Sequence, residues 1–159
     1  MNITIHMQPQ RTLYGLWETS SDRTIAKDIS RLSQKYYTAA GKTPKSVLPF
    51  YVLTKDYDPE TGGFQLFIGG ELENTALERY CLPEAVYGKV FVRPRLGFLW
   101  GLAVGKTKRD FYTKWLPESG YEPLNIEYEY HTEKSVGKKA EIDLFFALKG
   151  DDSGGEHEE

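Results

Sequence analysis

The chain has 159 residues, 40% of them hydrophobic and 14% aromatic, with a formal net charge of −3. That length and apolar share suffice for one compact domain with a core and exclude bulk disorder. Five of the acids (Asp151, Asp152, Glu156, Glu158, Glu159) fall in the last nine residues, which leaves the body so near neutral that it has no electrostatic footprint for nucleic acid.

Ile3, Ile5 and Met7 alternate into Leu13-Tyr14-Gly15-Leu16-Trp17, the end of a first strand. The period then switches: Ile25, Ile29, Leu32 and Tyr36 fall on one stripe of an amphipathic helix, with N-caps among Ser20 to Asp22 and a stop at Gly41 and Pro44. Residues 47–54 and 64–73 are strand-like and flank a Pro/Gly turn at residues 57–63, so they form a hairpin. A strand over 86–93 and a loop over 93–97 follow. A helix runs from near Gly101 to Glu118, with Val104, Lys108, Phe111, Trp115 and Leu116 on or beside one face and Ser119-Gly120 as its stop. Residues 125–131 and 140–149 are two more strands.

Both halves therefore read strand, helix, strand, strand, with landmarks offset by about 76 to 79 residues. The expected fold is α+β: tandem repeats with pseudo-twofold symmetry, a mostly antiparallel sheet, helices on one face and a ligand cleft between the halves. Residues 1–150 make one domain, with halves of about 1–78 and 79–150, and 151–159 form a disordered acidic tail. The longest near-apolar run, residues 96–105, is about half of what a membrane helix needs, and residues 1–5 have no leader character, which points to a cytoplasmic protein with no membrane partner.

Several motifs fail. Gly101-Leu102-Ala103-Val104-Gly105-Lys106-Thr107 has three residues between its glycines where a phosphate loop needs four. The single cysteine, Cys81, excludes an intramolecular disulfide and a cysteine metal cluster, and His6, His131 and His157 are scattered without ligand spacing. No cofactor is implied. What remains is aromatics and carboxylates. Alternation puts Glu127 and Glu129 on one strand face and Ile126, Tyr128 and Tyr130 on the other. In the last strand Glu141 and Asp143 share a face with Phe145 and Ala147. A carboxylate held against aromatic rings attracts a cation or has its pKa raised, which suits either capture of a lipophilic cation or general acid/base work. The alternative is that Glu127 and Glu129 are exposed and paired across the hairpin with Lys138 or Lys139.

The run Trp115-Leu116-Pro117-Glu118-Ser119-Gly120-Tyr121-Glu122-Pro123, followed by Ile126-Glu127-Tyr128 and by residues 140–149, resembles the GyrI-like small-molecule-binding family, the effector-binding domain of bacterial transcription activators and multidrug-responsive regulators. Leu13-Tyr14-Gly15-Leu16 resembles its opening strand and residues 67–72 its fourth, so the resemblance covers about residues 8–149. It implies a hydrophobic, cationic small molecule in an aromatic pocket with an acid at its base. Glu127 best matches that acid and Glu129 is the second candidate; Ala147 replaces the family's usual proline. Trp17, Tyr51, Phe67, Phe91, Trp100 and Phe145 are the candidate walls. The resemblance also implies two alternatives: a hydrolase of cyclopropane-bearing toxins using Glu127 with Tyr128 or Trp100, and a protein-interaction module acting on a regulator or gyrase. No DNA-binding domain is fused, as in a stand-alone version.

Overall fold

The stripe of Ile25, Ile29, Leu32 and Tyr36 is realised in the computed structural model as helix α1 (Ile25–Ala40), whose four stripe residues pack into one cluster with the sheet. The structure describes residues 1–93, 100–135 and 139–150, without the side chains of Pro44, Lys45 and Trp100. The expected tail, most of the loop before the second helix, Lys138 and the Trp100 side chain lie outside the described residues. Gly41 ends α1 in the left-handed region at φ 63°, as the sequence requires of a glycine stop. The second helix, α2 (Trp100–Asp110), passes through one π-helical turn, Phe111–Trp115, into a last short turn, α3 (Leu116–Ser119), which Gly120 ends at φ 78°.

Eight strands form one sheet, paired antiparallel throughout: β1 (Ile3–Gln8), β2 (Arg11–Ser21), β3 (Phe50–Lys55), β4 (Gly63–Gly70), β5 (Glu78–Leu82), β6 (Ala85–Val92), β7 (Glu122–His131) and β8 (Ile142–Lys149). Their order is β1-β6-β8-β7-β3-β4-β2-β5. The halves β2-α1-β3-β4 and β6-α2-β7-β8 meet at the β3–β7 pair. The expected α+β tandem architecture is present, with two differences. The first predicted strand is two strands, split at Pro9-Gln10 because proline cannot donate to a ladder. Strand β5 is a short, largely exposed edge strand with no apolar alternation to be read from sequence.

The topology forces a strong curl. Strands β1 and β2 stand six places apart in the sheet, a distance of about 29 Å if it were flat. Only Pro9 and Gln10 join them, a link that reaches at most about 11 Å. Pro83 and Glu84 likewise join β5 to β6. The sheet must therefore twist until its outer strands approach one another over one face. That face is the helix-free one: Leu13, Leu82 and Ala85 from around the two links pack with Tyr51, Tyr87 and Tyr128 from the central strands. Inside this curl Gly15 and Gly69 face each other; a Cβ on Gly69 would lie 2.4 Å from the Tyr14 carbonyl oxygen and 2.7 Å from the Phe67 ring. Bare backbone is what seats that ring.

Helix α1 is pinned at its first turns by buried Asp28, which accepts hydrogen bonds from Ser20 Oγ and Thr24 Oγ1, both at 2.7 Å, and pairs with Arg31. The Thr24 and Ser20 hydroxyls, then Arg31, hold its carboxyl below the usual range against the opposing effect of burial. A lowered carboxylate pKa stabilises the fold above the unfolded value of about 3.9, and that contribution disappears as pH falls through the folded value. Asp28→Asn is therefore expected to lower the urea midpoint at pH 7, with the gap to the parent protein closing near pH 3; a gap that is unchanged at pH 3 contradicts the assignment.

Candidate functional site

Registered antiparallel pairing assigns every strand residue to a row, and each row to a face. One row crosses seven strands as Ile3, Val90, Leu144, Glu129, Val52, Ile68 and Leu16. The next on the same face is Ile5, Gly88, Phe146, Glu127, Thr54, Leu66 and Glu18. These rows carry the helices: Val90, Leu144 and Phe146 pack with α2, and Val52, Leu66 and Ile68 with α1. Glu127 and Glu129 thus stand at the centre of the helix-bearing face, in rows that are otherwise mostly apolar.

The family resemblance implies that the glutamates and the wall aromatics share one pocket. The structure separates them. Trp17, Tyr51, Phe67 and Phe145 belong to the helix-free face, packed with Tyr128 inside the curl. Phe145 stacks on Tyr128 at 4.7 Å, and Trp17 lies 4.9 Å from Phe67. Phe91 shares that face but stands at the rim, 48% exposed, with the Arg93 guanidinium 4.8 Å from its ring. Tyr128 points away from Glu127, so of the two partners that the hydrolytic alternative offers Glu127, Tyr128 is not brought to it. The reason is register: Glu127 pairs with Phe146 and Glu129 with Leu144, so the β8 face bearing Asp143 and Phe145 lies opposite theirs.

Glu127 holds three partners. Lys108 Nζ lies 2.9 Å from Oε1, Thr54 Oγ1 donates to the same oxygen at 3.2 Å, and Tyr112 OH donates to Oε2 at 2.6 Å. Glu129 lies 3.6 Å from His131 Nε2, and the His131 ring stacks on Phe50 at 4.7 Å. The two carboxylate side chains are only 15% and 13% exposed, and Lys108 is 23% exposed. Burial pulls the Lys108 ammonium down, yet Glu127 and then Glu129 outweigh it and leave its pKa above the ordinary value. Burial pushes the Glu129 carboxyl up, but His131 and Lys108 hold it below the usual range. Both charged states are therefore kept. Among the described residues, two half-buried carboxylates are served by one half-buried ammonium and the His131 imidazole.

The rings next to these carboxylates come from α2 and β8. Phe111 stacks on Phe146 at 3.8 Å, and Tyr112 meets Phe146 edge-on at 5.6 Å. Sequence reasoning places Lys108 and Phe111 on or beside one face of the helix but gives neither a role at the site. It missed Tyr112, Phe146, Thr54 and His131. Phe146 and Thr54 become visible only once the β7–β8 and β3–β7 registers are known.

The helix-free face is filled. Tyr51 OH donates to Glu71 Oε1 at 2.8 Å and accepts from Arg11 Nη1 at 3.1 Å. Tyr128 OH donates to Gln8 Oε1 at 2.7 Å, and Tyr87 OH to the Pro83 carbonyl at 3.0 Å. The chain links that close the curl thereby satisfy the hydroxyls of the inner tyrosines. Open hollows of about 420 and 170 Å³ remain at the rim, both lined by Lys89 and Phe91, the larger with Asn2 and Thr4 and the smaller with Tyr130 and Asp143. Burial raises the Tyr87 hydroxyl to about 12 and lifts Tyr51, Tyr112 and Tyr128 further. Titration at 295 nm is expected to leave at least these four of the eleven tyrosines protonated at pH 11, released only on alkaline unfolding; eleven tyrosinates in the folded protein at that pH would refute the packing.

Among the described residues no helix is long and apolar enough to cross a membrane, and no cluster of three His, Cys, Asp or Glu side chains could hold a metal ion. No known family profile and no curated protein sequence matches the chain. Solved structures do. A candidate bacterial transcription regulation protein from Staphylococcus aureus MU50 superposes with a TM-score of 0.70 at 13% identity, covering 94% of this chain and 99% of that one. SAV2435 bound to tetraphenylphosphonium gives 0.70 at 16% identity over 94% and 95%. The EcmrR C-terminal domain gives 0.57 at 15% over 93% and 97%. At these identities the likeness is one of fold, and the fold is GyrI-like.

Proposed function

We propose that this chain is an effector-binding domain that takes up a hydrophobic cation, with Glu127 and Glu129 supplying the charge. The observation that carries the reading is the imbalance in the central rows, where two carboxylates only 15% and 13% exposed share, among the described residues, one ammonium and the His131 imidazole. A buried ionised carboxylate without a full counter-charge is costly, and a cation that arrives with its own apolar shell relieves that cost without having to shed a tight hydration layer. The surroundings fit such a guest: the half-buried rings of Tyr112 and Phe50 stand beside the two carboxylates, and the row neighbours of Glu129 are the aliphatic Val52 and Leu144. The GyrI-like fold, shared with a protein captured with tetraphenylphosphonium, supports the same ligand class.

Calorimetric titration with tetraphenylphosphonium tests the reading. The parent protein is expected to bind, and Glu127→Gln and Glu129→Gln are each expected to weaken binding at least tenfold. No heat of binding up to millimolar ligand, or equal affinity in both variants and the parent, rejects it.

A further inference from the structure

The cation position beside Glu127 is already taken. Lys108 reaches from α2 to within 2.9 Å of Glu127 Oε1, is half-buried, and is felt by Glu129 as well. Its neighbour one turn on, Tyr112, holds the other oxygen of the same carboxylate from the same helical segment. We propose that Lys108 is a tethered competitor, a built-in ammonium that occupies the ligand's charge position and must be expelled before an outside cation binds. This inference rests on the cation-binding reading above and adds the residue that sets its threshold.

The physics is that of a two-state competition. With the ammonium seated, the site offers a guest only the residual charge of the pair; with it withdrawn, the whole carboxylate field is available. The observed dissociation constant is then the intrinsic one divided by the fraction of molecules in which Lys108 is out. A guest able to bring apolar surface into contact with the half-buried rings of Tyr112 and Phe50 recovers what the expulsion costs. A small, strongly hydrated cation cannot, so Lys108 also selects for lipophilic ligands. The segment that would have to yield is irregular: α2 departs from α-helical geometry at the π turn Phe111–Trp115, three residues past Lys108, and π turns in helices accompany sites where side chains must be re-aimed.

Lys108→Met keeps the apolar stem and removes the charge. It is expected to bind tetraphenylphosphonium at least tenfold more tightly than the parent, equivalent to about 1.4 kcal/mol, and to show a larger ligand-induced rise in melting temperature from a lower starting point. Equal or weaker binding by folded Lys108→Met overturns the proposal while leaving the cation site standing. The parent protein gives a second readout that does not depend on the variant's folding: site-resolved mass spectrometry of lysine acetylation. Lys108 is expected to react at least fivefold faster in saturating tetraphenylphosphonium than in its absence, and an unchanged rate also overturns the proposal. If neither protein binds the phosphonium, the site reading and this inference fall together.

Discussion

Phe111→Ala is expected to cost about 4 kcal/mol of folding stability, a drop of roughly 12 °C in melting temperature for a chain of this size. Phe111 is fully buried at the start of the π turn. Its ring lies flat on Phe146 at 3.8 Å, flat beside Trp115 at 5.2 Å and edge-on to Tyr112 at 5.1 Å. Truncation removes both the burial and the stacking, and the aromatic neighbours cannot collapse into the space because Phe146 is fixed in a central strand. The same variant is expected to lose affinity for tetraphenylphosphonium, since Tyr112 and Lys108 are aimed by the helix that Phe111 seats. A calorimetric loss below about 1 kcal/mol would mean that α2 is not docked through this ring.

Glu127→Gln is the second large effect, expected to cost about 3 kcal/mol because removal of one partner strands a largely covered charge. The lower end of the usual range applies because Glu129 still faces Lys108. Replacing both partners with apolar groups, Glu127→Leu with Lys108→Met, is expected to recover most of that loss, as buried ion pairs exchanged whole for hydrophobic groups commonly do. The pH dependence has a definite sign. A lysine with a raised pKa contributes stability that is fully present below its unfolded value of about 10.4 and is lost as pH rises through the folded value. The deficit of Glu127→Gln is therefore expected to stay constant from about pH 6 to pH 10 and to narrow only above that, when the parent loses the Lys108 proton. A deficit that vanishes by pH 8 would show that the ammonium is not what the carboxylate holds.

These two variants also mark the border between what the chain spells out and what folding adds. The stripe Ile25, Ile29, Leu32, Tyr36 and the stops Gly41 and Gly120 are local signals, written in side-chain period and in backbone freedom, and they appear in the structure where the sequence puts them. So does the division of β7 into an acidic face and an aromatic face. Strand alternation, however, is symmetric: it establishes that two faces exist and is silent on which one a helix will cover.

That decision belonged to the tertiary structure. The β7–β8 register set Glu127 against Phe146 rather than against Asp143 or Phe145, and a slip of one residue would have put it with the rings expected to surround it. The two-residue links Pro9-Gln10 and Pro83-Glu84 carried β1 and β5 to opposite edges, curled the sheet and turned Tyr51, Phe67 and Phe145 into core. Residue order fixed the elements, their repetition and the chemistry available on each surface because those follow from near neighbours along the chain. Which surfaces meet, and hence that Glu127 answers to Lys108 and Tyr112, depends on contacts between distant segments, whose energies only the assembled sheet brings together.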